Sequence, residues 1–140
     1  MELITISPPV MAAFFLRVIL GVLFFIQGYD KVIKIGVKGV IDTVGPAYSR
    51  LGFPSLVIRI ISYFTSWAEL IGGALLTVGL FSYPSAVLLG IDLLIVTVGL
   101  AMLDPVHDLK VLFPRILFLI LYLMFAAGID VLTLDSLITG

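Results

Sequence analysis

The chain has 140 residues, of which 61% are hydrophobic and 12% are charged, with a formal net charge of -1. Soluble domains average about 45–50% apolar and about 25% charged residues, so this composition indicates an integral membrane protein. The absence of cysteine excludes disulfides and thiolate metal sites, the single histidine excludes a bis-histidine haem, and the charge gives no sign of a nucleic-acid partner.

Four apolar segments are each long enough to cross the hydrocarbon core of a bilayer, and they lie at about residues 9–29, 55–80, 84–103 and 114–134. The first follows no basic segment of the kind that starts a signal peptide, so we expect it to be retained. The connections between the segments are short. We therefore predict one all-α membrane domain over residues 1–140, built as a four-helix bundle.

Residues 31–44, between the first two spans, show a different pattern. Charged side chains recur there at steps of three and four residues, while the apolar side chains fall mostly on the opposite side. We predict an amphipathic helix that lies on an anionic membrane surface, with an ordinary solvated loop helix as the alternative. Gly45 and Pro46 are expected to end this helix.

Lysine and arginine are concentrated in the loop between the first two spans and in the loop between the last two. The N-terminal segment, the middle turn and the C-terminal tail have none. The positive-inside rule therefore predicts that both charged loops are cytoplasmic and that both termini lie on the other side of the membrane.

His107 lies in the last of these loops, near Asp104 and Asp108. Histidine and carboxylates together are able to bind a metal ion. One histidine and two aspartates in a surface loop make a weak pattern, and we expect no metal site.

Three charged side chains lie well inside predicted spans: Arg17, Glu69 and Asp92. A charge at the centre of a membrane helix costs about 2.5–3.5 kcal/mol, so each must be paired, hydrated or neutral. Arg17 and Glu69 lie at depths that differ by about 4–5 Å, so pairing across antiparallel helices is feasible. Asp92 is either a second partner for Arg17 or a protonated carboxyl.

These charges have two interpretations. They form interhelical contacts that only fix the packing, or they form a polar site for a proton, a quinone headgroup or a small solute. Gln27 would add a hydrogen-bond donor to such a site. Tyr29 and Trp67 are expected to serve in packing or as anchors at the membrane interface.

Three spaced motifs extend over nearly the whole chain. The first is R-x-x-x-G-x-x-F-x-x-x-G-x-x-K from Arg17, the second is E-x-x-G-G-x-x-L-x-x-G-L from Glu69, and the third is G-x-x-x-L-x-L-D-x-L from Gly128. Together they resemble the DoxX family of small four-span membrane proteins. The family tail commonly reads G-x-G-x-x-S-L-D, and in this chain Asp130 stands at the second glycine. We assign to helix packing the glycines Gly21, Gly28, Gly72, Gly73 and Gly79.

The resemblance implies membrane redox work without a redox cofactor held by the chain itself. We expect a non-catalytic accessory subunit of a quinone-linked respiratory or other membrane redox complex in a prokaryotic-type cytoplasmic membrane. Its expected partners are membrane lipid and other membrane subunits, and a quinone or lipid is the expected small molecule. The alternatives are a stand-alone transporter or channel for a small solute or proton, and a structural membrane scaffold.

Overall fold

A computed structural model describes residues 7–104, 110, 112–126 and 128–139, which form helices and turns without a β-strand among them. The α-helices in this part of the chain are α1 (Pro8–Tyr29), α2 (Val37–Arg50), α3 (Ser55–Val78), α4 (Ser82–Leu103), α5 (Phe113–Leu121) and α6 (Leu134–Thr139). Two π-helical segments continue α1 and α5; they are Asp30–Lys34 and Tyr122–Ala126.

In the described part of the chain, three helices are long and apolar enough to cross a membrane: Pro8–Lys34, Ser55–Val78 and Ser82–Leu103. Large apolar side chains are exposed along all three, such as those of Ile19, Ile60 and Leu94. Because lipid is the solvent that covers apolar surface on helices of this length, the protein is membrane-embedded. The prediction of an all-α membrane fold is confirmed.

The fourth apolar helix is shorter than the predicted span of residues 114–134. It runs over Phe113–Ala126 and is about 21 Å long at 1.5 Å per residue, less than the hydrocarbon core of about 30 Å. The chain then turns at Gly128, and Asp130 returns to α1. The predicted end at residue 134 is wrong because Asp130 pairs with a buried arginine instead of continuing the helix.

The helix predicted over residues 31–44 is divided into two parts. Its first residues extend α1 as the π-helical segment, and Gly36, at φ 77°, separates this segment from α2. The predicted stop at Gly45 and Pro46 is wrong, since α2 continues through Pro46 to Arg50. Pro46 removes one backbone N–H from the helix, but Tyr48, two residues later, packs against Gly99 of α4, and this contact favours continuation of the helix.

Helices α1 and α3 approach each other until their backbones touch. A Cβ atom at Gly28 or at Gly73 would overlap backbone atoms of the other helix, so both positions require glycine for this packing. These contacts also fix an antiparallel register, in which the two residue numbers of each facing pair add up to about 98. The facing pairs are Gly21 with Thr77, Phe25 with Gly73, and Gly28 with Leu70.

Helices α3 and α4 form a hairpin. Gly79 ends α3 at φ 76°, and the N–H groups of Leu80 and Gly79 bond back to the carbonyls of Leu75 and Leu76, the pattern of a Schellman cap. In the hairpin, Gly72 packs against Leu89. The core lies between this hairpin, α1 and α5, and its fully buried members include Leu20, Phe24, Leu76, Leu89 and Tyr122.

Candidate functional site

The buried charges form two separate centres. We call the first the Arg17 centre; it contains Arg17 and Asp130. We call the second the Glu69 centre; it contains Lys31, Glu69 and Asp92. The contacts that join α1 to α3 place these centres at different levels of the bundle.

At the Arg17 centre, the guanidinium is 1% exposed and makes four hydrogen bonds. Nε donates to Asp130 Oδ2 at 2.5 Å, and Nη1 donates to the carbonyls of Leu76 and Thr77 at 2.8 and 2.7 Å. Nη2 donates to the Leu132 carbonyl at 2.7 Å. Two of the acceptors belong to the last turn of α3, where helix carbonyls lack intrahelical partners and the helix dipole favours a cation. Arg17 therefore caps α3 as well as pairing with Asp130.

The C-terminal segment that carries Asp130 is attached to the α3–α4 turn at further points. Asp135 accepts the backbone N–H groups of Phe81 and Ser82 at 2.7 and 2.8 Å, and its own N–H donates to the Gly79 carbonyl. These backbone donors at the start of α4 hold the pKa of the Asp135 carboxyl below its ordinary value. A Cβ at Gly79 would lie 2.8 Å from the Thr133 Cα, so the C-terminal segment also packs closely against this turn.

The expected pairing of Arg17 with Glu69 is wrong, and Asp92 is not the partner of Arg17 either. In the register of α1 and α3, Glu69 lies level with residue 29, which is twelve residues from Arg17, or about 18 Å along the helix. The estimate from sequence assumed that the two helices end at the same depth. They are staggered, so Arg17 lies level with the end of α3 and pairs with Asp130.

At the Glu69 centre, the Lys31 ammonium is the cation. Lys31 Nζ donates to Glu69 Oε1 at 2.8 Å and lies 2.7 Å from Oε2, outside hydrogen-bond geometry. Gly28 touches the backbone between Glu69 and Leu70, and Lys31 follows Gly28 by three residues, on the same helix face. The glycine contact thus brings the lysine to the carboxylate. Although Lys31 begins the charged stretch 31–44, its side chain is only 27% exposed.

Asp92 lies beside Glu69 and is 0% exposed. Because Gly72 faces Leu89, residues 69 and 92 are at the same level of the α3–α4 hairpin. The charges of Glu69, Lys31 and Arg115 all act on Asp92, but neither of its oxygens has a hydrogen-bond partner among the described residues. An unpartnered carboxyl at full burial is rare in folded proteins and calls for an explanation, such as a bound proton, water or ion, or a functional role.

A cavity of about 650 Å³ opens beside the Glu69 centre, between α2, α3, α4 and the start of α5. Its polar lining includes Gln27, Lys31, Glu69 and Arg115, whereas most of its wall is apolar. The Oε1 atom of Gln27 has no hydrogen-bond partner in the described part of the chain. A large apolar cavity with a few polar groups at one place is the usual form of a small-molecule site.

The remaining predicted residues have other positions. Tyr29 and Trp67 are about 40% exposed and lie on the outer surface, with Trp67 beside a shallow apolar depression. His107 and Asp108 lie outside the described residues. In the described ranges, no group of histidines and carboxylates is arranged to hold a metal ion.

Sequence reasoning missed Lys31 and Asp130 as members of these centres, and it missed Arg115 as part of the cavity lining. One signal pointed to Asp130, namely the aspartate that replaces a glycine in the tail pattern. For Lys31 the signal was its position three residues after Gly28, on the face that carries the packing glycines. Nothing in the sequence alone indicated Arg115, because its role depends on how α5 lies against the cavity.

A family model described as DoxX matches residues 12–102. The matched region contains Arg17, Lys31, Glu69 and Asp92, and it ends before Asp130. A search of curated proteins and a search of solved structures each found no match.

Proposed function

This chain belongs to the DoxX family of membrane proteins, and we propose that it is an accessory membrane subunit of a quinone-linked respiratory or other membrane redox complex. The cavity beside the Glu69 centre is the observation that carries the proposal. Its volume of about 650 Å³ is in the range of ordinary small-molecule sites, which is about 300–1,000 Å³. Its occupant is a quinone or a lipid of similar amphiphilic character.

The chemistry of the cavity lining fits a quinone. A quinone has an apolar ring and tail and two carbonyl oxygens that accept hydrogen bonds. Gln27, Lys31 and Arg115 offer N–H donors at the polar end, and the apolar wall includes Val44, Ile58 and other aliphatic side chains. A bound quinone would supply electron transfer, while the chain itself binds it, orients it and excludes water.

A mild-detergent extraction followed by native gel separation and mass spectrometry tests the assignment as a subunit. We expect the chain to migrate with haem, flavin or iron–sulfur subunits. Migration alone or as a homo-oligomer contradicts this assignment and leads to transport assays.

A photoreactive quinone tests the binding site itself. We expect cross-links on peptides that line the cavity, competed by excess unlabelled quinone. The Arg115→Gln variant should label weakly, whereas Lys34→Gln should label normally, because Lys34 pairs with Asp30 on the surface with 66% of its side chain exposed. Equal labelling of both variants, or labelling that excess quinone does not reduce, would remove the cavity from the proposal.

The unpartnered carboxyl of Asp92 favours a second candidate, a stand-alone transporter or channel for a proton or small solute. The purified protein in liposomes with an internal pH indicator tests it. Flux that is lost in Asp92→Asn and kept in Lys34→Gln supports the transporter. If this assay and the extraction both give negative results, a structural scaffold is the remaining function.

The proposal includes an orientation in a prokaryotic-type cytoplasmic membrane. Phe113–Ala126, which alone is shorter than the hydrocarbon core, makes a fourth crossing together with the turn that leads to Asp130. Helix α2 lies on the cytoplasmic surface, and both termini lie on the opposite side. The lysines of residues 31–38 support this orientation through the positive-inside rule. Because the chain has no cysteine, single Lys38→Cys and Phe81→Cys variants test it with an impermeant thiol reagent. In intact cells we expect only Phe81→Cys to react, and the reverse result would invert the topology.

A further inference from the structure

The two carboxyls of the Glu69 centre share one hairpin and have unequal surroundings. Glu69 lies three residues before Gly72, and Asp92 lies three residues after Leu89, so the Gly72–Leu89 contact sets both at one level. Both are at most 3% exposed. Lys31 bonds to Glu69, whereas neither oxygen of Asp92 has a partner in the part of the chain that the structure describes.

We propose that Glu69 and Asp92 form a proton-binding pair that holds one proton, carried on Asp92, while the Lys31 ammonium neutralises Glu69. This inference stands on the geometry of the pair and does not depend on the quinone assignment. It gives the site a ligand of its own, an exchangeable proton, in addition to any occupant of the cavity.

The charges around Glu69 and Asp92 favour a pair that binds one proton, rather than two protons or none. An ionised Asp92 would be a second buried anion beside Glu69 without any hydrogen bond, and a buried charge in that condition is normally neutralised. Arg115 on α5 acts on both carboxyls through its charge, but no hydrogen bond from it reaches Asp92. Among the described residues, Lys31 supplies the one direct ion pair of this centre, which is enough for one carboxylate.

The position of Lys31 provides a means of exchange. Lys31 belongs to the π-helical segment Asp30–Lys34, and such segments occur often at functional sites. Its side chain is partly exposed, so the ammonium reaches the membrane surface by a change of rotamer. Glu69, which lines the cavity, would then be neutralised by a proton instead of by the Lys31 ammonium. The lysine and a second proton therefore compete for the same carboxylate.

Infrared spectroscopy of the whole protein in lipid at neutral pH tests the proposal. We expect one carbonyl band of a protonated carboxyl, which shifts when aspartate is labelled with ¹³C at its carboxyl and does not shift when glutamate is labelled. Asp92→Asn should remove the band. Lys31→Met should add a second band that shifts with the glutamate label, whereas the surface control Lys34→Met should leave a single band.

Isotope labelling of the unsubstituted protein keeps the test decisive even if Asp92→Asn does not fold. The conservative variant Asp92→Glu should then move the band from the aspartate label to the glutamate label. No protonated band at neutral pH, a native band that shifts with the glutamate label, a band that survives Asp92→Asn, or an unchanged spectrum in Lys31→Met would each overturn the proposal.

Discussion

The Arg17 centre and the Glu69 centre both bury a cation against a carboxylate. In the first, both charged side chains are hydrogen-bonded, although Asp130 Oδ1 has no partner among the described residues; in the second, the whole Asp92 carboxyl has none. Around Arg17, three carbonyl groups and one carboxylate accept hydrogen bonds from all three guanidinium nitrogens. Around Glu69, one carboxyl has no partner among the described residues, and a cavity adjoins the ion pair. The first centre holds three parts of the chain together, whereas the second leaves a buried carboxyl without a partner in the described residues beside a cavity.

The largest expected effect is at the Arg17 centre. Arg17→Leu leaves Asp130 as an uncompensated buried charge and removes the cap from α3, so we expect the free energy of unfolding to fall by about 3–5 kcal/mol. Denaturant titration in micelles measures it. The double variant Arg17→Leu with Asp130→Leu should recover part of the loss, because the unpaired charge is gone. If the single and double variants lose the same free energy of unfolding, the unpaired charge of Asp130 has no cost, and the whole effect of Arg17→Leu comes from the lost cap on α3.

The next largest effect is at the glycines that separate the two centres. Gly73→Ala places a methyl group against the Phe25 backbone, so we expect a loss of about 2–3 kcal/mol. Gly90→Ala is the matched control, since its Cβ would make an ordinary contact of 3.4 Å with Leu119 and should cost little. If both variants unfold at the same denaturant concentration, the close α1–α3 contact does not fix the register.

Removal of the cation from the Glu69 centre should cost less than removal of Arg17. We expect Lys31→Met to lose about 1–2 kcal/mol at pH 8, because a charge-assisted hydrogen bond is lost and the buried Glu69 is then neutralised by a proton. For the same reason the loss should shrink at pH 5, where the proton is easier to obtain. A loss as large as that of Arg17→Leu, and independent of pH, would mean that the two centres are equivalent.

The smallest effect is at the tail contact that supports the Arg17 centre. Asp135→Ala removes the acceptor for the first N–H groups of α4, which should cost about 1 kcal/mol. Because the folded-state pKa of Asp135 is lowered, its stabilisation is present above the ordinary pKa of about 3.9 and is lost as the pH falls through the folded value. The variant should therefore lose less stability than the native protein on acidification. Leu137→Ala, an exposed position in the same helix, is the control.

The helices and their membrane character could be predicted from sequence, because a long apolar run has few alternatives to a membrane helix. Arg17, Glu69 and Asp92 were recognised as special for the same reason, since charge in such a run is costly. Their partners could not be predicted. Pairing depends on the vertical register of the helices, and backbone contacts at Gly28 and Gly73 set that register.

The loop regions were harder to predict, because short-range signals competed with packing. Pro46 is a strong stop signal taken alone, yet α2 continues through it. Asp130 resembles the end of a membrane span taken alone, yet it is fully buried against Arg17. In both cases the local structure depends on a contact with a distant helix. The sequence pattern within one segment gives no information about such a contact.

The pairing of Arg17 with Asp130 also has a consequence for biosynthesis, because 113 positions of sequence separate them. At about 5–20 residues per second, the ribosome needs roughly 6–23 s to make Asp130 after Arg17. During that interval the Arg17 guanidinium lacks its carboxylate partner, although the Leu76 and Thr77 carbonyls of α3 are made about halfway through it. We therefore expect slow translation of the codons around Asp130 to lower the yield of folded protein, and ribosome pausing introduced at those codons tests this.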